Sequence, residues 1–308
     1  MVTNNNALIK LISPDDGTLL RQTDEYLIDE SGNRYFFLDG IPDLRPKKSL
    51  EVTMTHKLID HQFFRSYKYK RFLTPLFLNN HCKHQGVKEG NIRGFVPPPK
   101  DKDMAICLDH GCGSGHLRSF MESFGYMYIG VDNENGVSAE QGGGKRFKGG
   151  ATHICDLHRL PFKDNTFQFA VSYSVFEHLQ NPFVAAAELF RVMRPDSVCF
   201  MVVAGIVPFH MDSFYHHTHY GVLNTFNSVG FEVNQVAGGN WNAYKAISAM
   251  DGMPGPKWVR KTISELAYQT HLMLWKIRTL VKGRDHDTED LRRHLMMAGI
   301  MKAILIKP

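Results

Sequence analysis

Between residues 106 and 203 the hydrophobic and polar positions fall into short apolar runs, each closed by an acid, a glycine or a turn. Ile106-Cys107-Leu108 runs into Asp109, and such a run is what a buried parallel strand requires. Residues 117–124 repeat apolar positions at helical spacing and stop at Gly125, a C-cap residue. The pattern then predicts strands over 126–132, 151–157, 168–174 and 197–203, with a helix over 185–195 stopped by Pro195. A helix ending at Gly230, a strand over 231–236 and a closing strand over 300–307 complete the series.

Outside this run the pattern changes. Residues 7–46 alternate apolar runs with turn chemistry, and the strands Tyr26-Leu27-Ile28 and Tyr35-Phe36-Phe37-Leu38 flank Ser31-Gly32-Asn33 as a hairpin would. Residues 49–80 carry apolar residues at roughly helical spacing, interleaved with basic ones. Pro97-Pro98-Pro99 and the charged residues after it predict a stiff linker. Residues 141–150 hold too many glycines for a helix and predict a loop, whose Lys145, Arg146 and Lys148 could meet an anion. Residues 241–296 interrupt the last two strands with a helical pattern that includes Trp258, Ile263, Leu266, Trp275 and Ile277, with Lys and Arg around it.

Composition narrows the class. The chain has 308 residues, 43% hydrophobic and 22% charged, as in an ordinary globular protein with one large domain and an accessory piece. A net charge of +5 permits an acidic substrate or nucleic acid without demanding one. The five cysteines form no C-x-x-C pair, so neither a zinc site nor a disulfide framework is expected, and a reducing, cytoplasmic setting fits. No apolar run has the length of a membrane span, and the first residues lack signal-peptide character, so a soluble chain is expected.

The candidate chemistry starts at Asp109-His110-Gly111-Cys112-Gly113-Ser114-Gly115-His116. Glycines straight after a strand let the backbone turn and let a ligand approach with no Cβ in the way. A dinucleotide fingerprint would need a third glycine at position 116, which is His116. Asp132, ending the next strand, stands where a carboxylate can accept from ribose hydroxyls, with Asn133 beside it. Histidine is the residue that titrates near neutral pH, so His178, His216 and His217, all after strands at the carboxyl edge, are the candidates for moving a proton. The wider cluster from His210 to His219 has Asp212 alone as a nearby carboxylate, and no metal is expected there.

The D-x-G-x-G-x-G loop, together with Glu177-His178-Leu179-Gln180-Asn181-Pro182 and Glu188-Leu189-Phe190-Arg191-Val192-Met193-Arg194-Pro195, resembles the small-molecule (methyltransferase-11-like) branch of class I S-adenosylmethionine-dependent methyltransferases. That resemblance, over about residues 104–238 and 298–308, implies an α/β fold. The expected sheet is Rossmann-like and seven-stranded, mostly parallel with its last strand antiparallel, and has helices on both faces. It implies S-adenosylmethionine as cofactor, held by Asp109, Gly111, Gly113, Gly115, Asp132, Asn133, Asp156, Leu157 and Ser172. Asp156 would accept from the adenine amine, with the backbone beside Leu157 donating to the ring. Residues 141–150, too glycine-rich for the helix that usually follows, and Pro195-Asp196-Ser197 depart from the family pattern.

Asp39-Gly40-Ile41-Pro42-Asp43-Leu44 resembles the close of a zinc-ribbon-like domain found as a methyltransferase activator, but Ser13, Asp16, Asp29 and Gly32 stand where ligand cysteines would be expected. A small β-rich domain without metal is therefore expected over 1–48. A helical lid and linker are expected over 49–100, and a methyltransferase domain over 101–308 with a helical insertion over 241–296. The function expected is methyl transfer to a small-molecule or glycan-like acceptor, at oxygen. An RNA methyltransferase and an inactive cofactor-binding partner are the alternatives. For the insertion, capping the acceptor pocket is preferred over peripheral membrane contact through 257–284.

Overall fold

The computed structural model describes residues 9–49, 58–68, 95–100, 105–133, 150–208, 213–239, 241–250 and 253–308. Its centre is a seven-stranded sheet. Five strands run parallel to their neighbours: β5 (Ile106–His110), β6 (Met127–Asp132), β7 (His153–Ile154), β8 (Phe167–Tyr173) and β9 (Met193–Ala204). The order across the sheet is β10-β11-β9-β8-β5-β6-β7, with β10 (Glu232–Gly238) at one edge. β11 (Ile300–Lys307) is antiparallel to both β9 and β10. Every residue of β5 is buried, as a strand covered on both faces must be. The expected mostly parallel sheet with an antiparallel last strand is the architecture found.

Helix boundaries follow local chemistry. α3 (Pro182–Val192) starts where the Asn181 side chain accepts from Val184 N and proline takes the first position. It buries Val184, Ala185, Ala186, Leu189 and Val192 against the sheet. It ends at Val192 instead of running to Pro195 as predicted, because Arg194, preceding the proline, is steered out of the helical region. α2 (Arg118–Ser123) ends two residues before Gly125, whose φ is +90°, and α4 (His219–Asn227) is capped by Thr218. The third strand is shorter than predicted, with only His153 and Ile154 paired.

Two expected boundaries shift. The small N-terminal sheet, β1 (Arg21–Gln22), β2 (Tyr26–Ile28), β3 (Arg34–Leu38) and β4 (Ile41–Pro42), contains the expected hairpin but does not stand apart. Leu44 N donates to Ile154 O at 2.7 Å and Ile12 N to Pro161 O at 3.0 Å. Leu11, Leu27, Tyr35 and Leu44 share one core with Cys155, Leu160 and Phe162. The N-terminal chain thus covers the β7 edge, which would otherwise offer unpaired backbone groups. Where ligand cysteines would be expected, Ser13 Oγ donates to Asp29 Oδ2 at 2.8 Å, and Gly32 N donates to Asp29 O at 3.2 Å. Ser13 Oγ also accepts from Asp16 N at 3.2 Å. The proline linker docks as well: Pro97 O accepts from Tyr126 Oη at 2.8 Å and Phe95 stacks on Phe200. Residues 95–97 are thus packed onto the main sheet and its neighbouring chain rather than standing off as a spacer.

Of the expected lid, α1 (His61–Ser66) is described, while the apolar positions at 72–77 lie outside the described residues. Tyr67 Oη donates to Val233 O at 2.8 Å and Phe64 meets the Tyr220 ring, so this segment packs at β10 and α4 rather than against the glycine loop. The glycine-rich stretch up to 149, His210 and Asp212 also lie outside the described residues.

Candidate active site

The carboxyl ends of β5 and β6 bring the first group together. Gly111, Gly113 and Gly115 have φ of +75°, +51° and +70°, a region costly for residues with a Cβ. A Cβ on Gly111 would lie 2.4 Å from Val175 Cγ2, so close packing demands glycine there too. A Cβ on Gly113 would meet no atom of the described residues within 4 Å, which leaves a cradle open to a ligand. Asp132 reaches this loop from β6: its Oδ2 accepts from Gly113 N at 2.7 Å and its Oδ1 from Asn133 N at 2.8 Å. Burial raises its pKa, and the two backbone donors oppose the rise. Each carboxylate oxygen keeps a further lone pair for a hydroxyl donor.

Other expected cofactor residues take different partners. Asp109 is buried and accepts from Tyr128 Oη at 2.7 Å; burial pushes its pKa up to about 7. It supports the loop from behind. Ser172 Oγ lies 3.2 Å from Nδ1 of His110, a buried imidazole stacked on Phe176, and burial lowers the His110 pKa to about 3. Asp156 Oδ1 accepts from His158 Nδ1 at 2.7 Å, and His158 Nε2 accepts from Asn181 N at 3.1 Å. That chain fixes the imidazole tautomer and ties the third strand's end to the Glu177–Pro182 stretch. The Leu157 side chain is buried in the core.

A second group forms beyond β8 and β9. Ser174 has φ +57° and turns the chain into a short 3-10 helix, Phe176–His178. Phe214 N and Tyr215 N both donate to Glu177 O, at 2.7 and 3.1 Å, and Tyr215 Oη donates to Gln180 O at 3.1 Å. His217 N donates to Ala204 O at 2.8 Å. These bonds stitch the loop carrying His216 and His217 to the turn carrying His178. His217 is buried, and burial together with His216 lowers its pKa to about 4, so its imidazole is neutral at pH 7.

Sequence reasoning missed Glu177. It is fully buried, and burial pushes its pKa up to about 7, opposed by the backbone amides of Glu177 and Ala204. A carboxyl poised near neutrality, on the turn that ends in His178 and to which the loop carrying His216 and His217 is bonded, is equipped to exchange a proton. The signal was the acid beside His178 in an otherwise apolar turn. Among the described residues no group of three or more His, Cys, Asp or Glu could hold a metal.

The strand order and the glycine loop with its facing acid are those expected from the sequence resemblance to a methyltransferase domain. Residues 108–201 match the family model described as "Methyltransferase domain". A protein of Mycobacterium leprae described as an uncharacterized methyltransferase is 32% identical over 90 residues, spanning 29% of this chain and 34% of that protein. An uncharacterized protein of Methanocaldococcus jannaschii is 31% identical over 105 residues, spanning 34% of this chain and 43% of that protein. The matches thus cover about a third of the length of the first of these curated relatives. A SAM-dependent methyltransferase structure from Archaeoglobus fulgidus aligns with TM-score 0.42 at 16% identity, over 71% of this chain and 92% of that one. The open cradle at Gly113 and the carboxylate of Asp132 suit a ligand that presents a ribose to the acid and a compact chain to the loop.

Proposed function

We propose that the chain transfers a methyl group from S-adenosylmethionine to a small-molecule or glycan-like acceptor, at oxygen. The observation that carries this reading is the 2.7 Å bond from Gly113 N to Asp132 Oδ2, which joins the glycine loop to the acid of the next strand. Gly111, Gly113 and Gly115 line the cofactor's amino-acid end, Asp132 and Asn133 grip its sugar, and Asp156 and Leu157 flank its base. The cofactor supplies an electrophilic methyl on a sulfonium. The protein's share is to hold the acceptor in line, which can supply roughly 7–11 kcal/mol of the barrier. It also removes the acceptor's proton.

For that proton the groups are Glu177, with its pKa near 7, and His217, held neutral, with His178 and His216 alongside. The N-terminal sheet packs the β7 edge and takes no part in the chemistry. The test is calorimetry with S-adenosylmethionine and S-adenosylhomocysteine, followed by incubation with methyl-labelled cofactor and fractionated cell extract. Binding in the micromolar range and label in a small, protease- and nuclease-resistant product are expected. Absence of heat with either cofactor form would overturn the reading, and label in RNA would replace its acceptor.

A further inference from the structure

The insertion between β10 and β11 is three helices: α5 (Ala243–Ala249), α6 (Lys257–Val281) and α7 (His286–Met296). β10 is parallel to β9 in direction, so the insertion leaves and rejoins the sheet at the edge that carries the glycine loop. α6 does not bury its apolar residues. Its buried positions are Ser264 and Thr279, and the neighbours it meets are polar or aromatic: His271 bonds Tyr244 Oη at 3.2 Å and Arg293 lies over Trp275. Ile263, Leu266, Met273, Ile277 and Leu280 are instead half or more exposed.

Those five positions, with Val259 and Thr270, are spaced 4-3-4-3-4-3 along the helix. At 100° per residue they fall within an arc of ~100°, which Leu274 widens to ~120°, within which Val281 also lies and which holds no charged residue of the helix. Arg260, Lys276 and Arg278 border the arc, about 100° from its centre, while Lys257, Lys261 and Lys282 lie on the far side. Residues 257–284 hold seven Lys and Arg against one acid, Glu265, and that acid is already paired with Lys245 at 3.2 Å. Trp258, 72% exposed, sits at the helix start.

We infer that the outward face of α6 docks on an anionic lipid surface, lying in the plane of the interface. A charge-free apolar arc bordered by long basic side chains lets the arc enter the acyl boundary while Lys276 on one side and Arg278 on the other reach the headgroups. Exposed tryptophan suits the same depth. A second copy of the chain would cover the arc equally well by shape, but it would bring seven further cations alongside the first seven. Anionic headgroups neutralise that charge instead, and this decides between the two occupants.

The test uses the full chain with phosphatidylcholine vesicles, with and without an equal share of phosphatidylglycerol, in a co-sedimentation assay. Binding is expected with the anionic vesicles at low salt, loss at high salt, and loss in the Leu266→Glu, Ile277→Glu double variant. Both substituted positions are exposed, so the melting temperature should hold. Lys276→Gln and Arg278→Gln should each weaken partitioning about fivefold. Failure to sediment with anionic vesicles at low salt would overturn the inference, as would sedimentation unchanged in the double variant. A dimer by light scattering that the double variant dissociates, without vesicle binding, would also overturn it and assign the face to a second copy. None of these readouts depends on cofactor binding.

Discussion

The two halves of the carboxyl edge are built differently. On the cofactor side, the loop and Asp132 belong to consecutive β-α-β segments nineteen positions apart, and one bond joins them. On the proposed acceptor side, Phe214 N and Tyr215 N donate to Glu177 O, joining the turn that carries His178 to the loop that carries His216 and His217 across nearly forty residues. Loop chemistry is local in the first half and depends on folding in the second. The first half therefore tolerates few changes of residue type, and the second few changes of packing.

The largest effect that tests this contrast is on turnover. Once labelling identifies an acceptor, removing the proton acceptor should cut kcat by about 10²–10⁴. Glu177→Gln and His217→Gln assign the role, since the variant with the larger loss and an unchanged KM carries the base. If neither lowers kcat tenfold, the acceptor side lies elsewhere.

A stability effect comes next. Glu177 has its folded pKa raised, so the folded state holds a proton that the unfolded state releases. Its contribution is therefore lost as pH rises from about 4.5 to about 7, an effect on the order of 3 kcal/mol. Glu177→Gln should flatten the fall in stability over that window, as read by urea melts. His217 acts in the opposite sense: its lowered pKa makes stability fall as pH drops from 6.5 towards 4. A Glu177→Gln variant with the same pH slope as the parent would mean the carboxyl is solvated.

On the cofactor side, Asp132→Ala should weaken S-adenosylhomocysteine binding about 100-fold, because charge-assisted bonds are worth about 1.5–3 kcal/mol. The smallest expected change, about tenfold in affinity, comes from Gly113→Ala. Its Cβ meets no atom of the described residues, so stability should fall only by the ~1–2 kcal/mol of a left-handed residue, while the cradle fills. Equal affinity in this variant would place the ligand away from Gly113.

Helices show how far the pattern reaches. In α3 and α6 the apolar residues recur at helical spacing, yet α3 turns Leu189 and Val192 into the core while α6 turns Leu266 and Ile277 to solvent. Gly111, Gly113, Gly115 and Asp132 were legible because strand, turn and acid follow one another along the chain. The bonds of Asp109 to Tyr128, Ser172 to His110 and Asp156 to His158 were not, since each pairs a polar atom with a partner chosen by packing.

The amino-acid sequence by itself determined the strands, the glycine turn and the residues that carry charge, because backbone conformation and apolar periodicity act over a few residues. Tertiary structure alone decided that the N-terminal sheet seals the β7 edge, that Glu177 is desolvated, and which face of α6 stays uncovered. Burial is set by what lies opposite, and nothing within a segment encodes its distant neighbour.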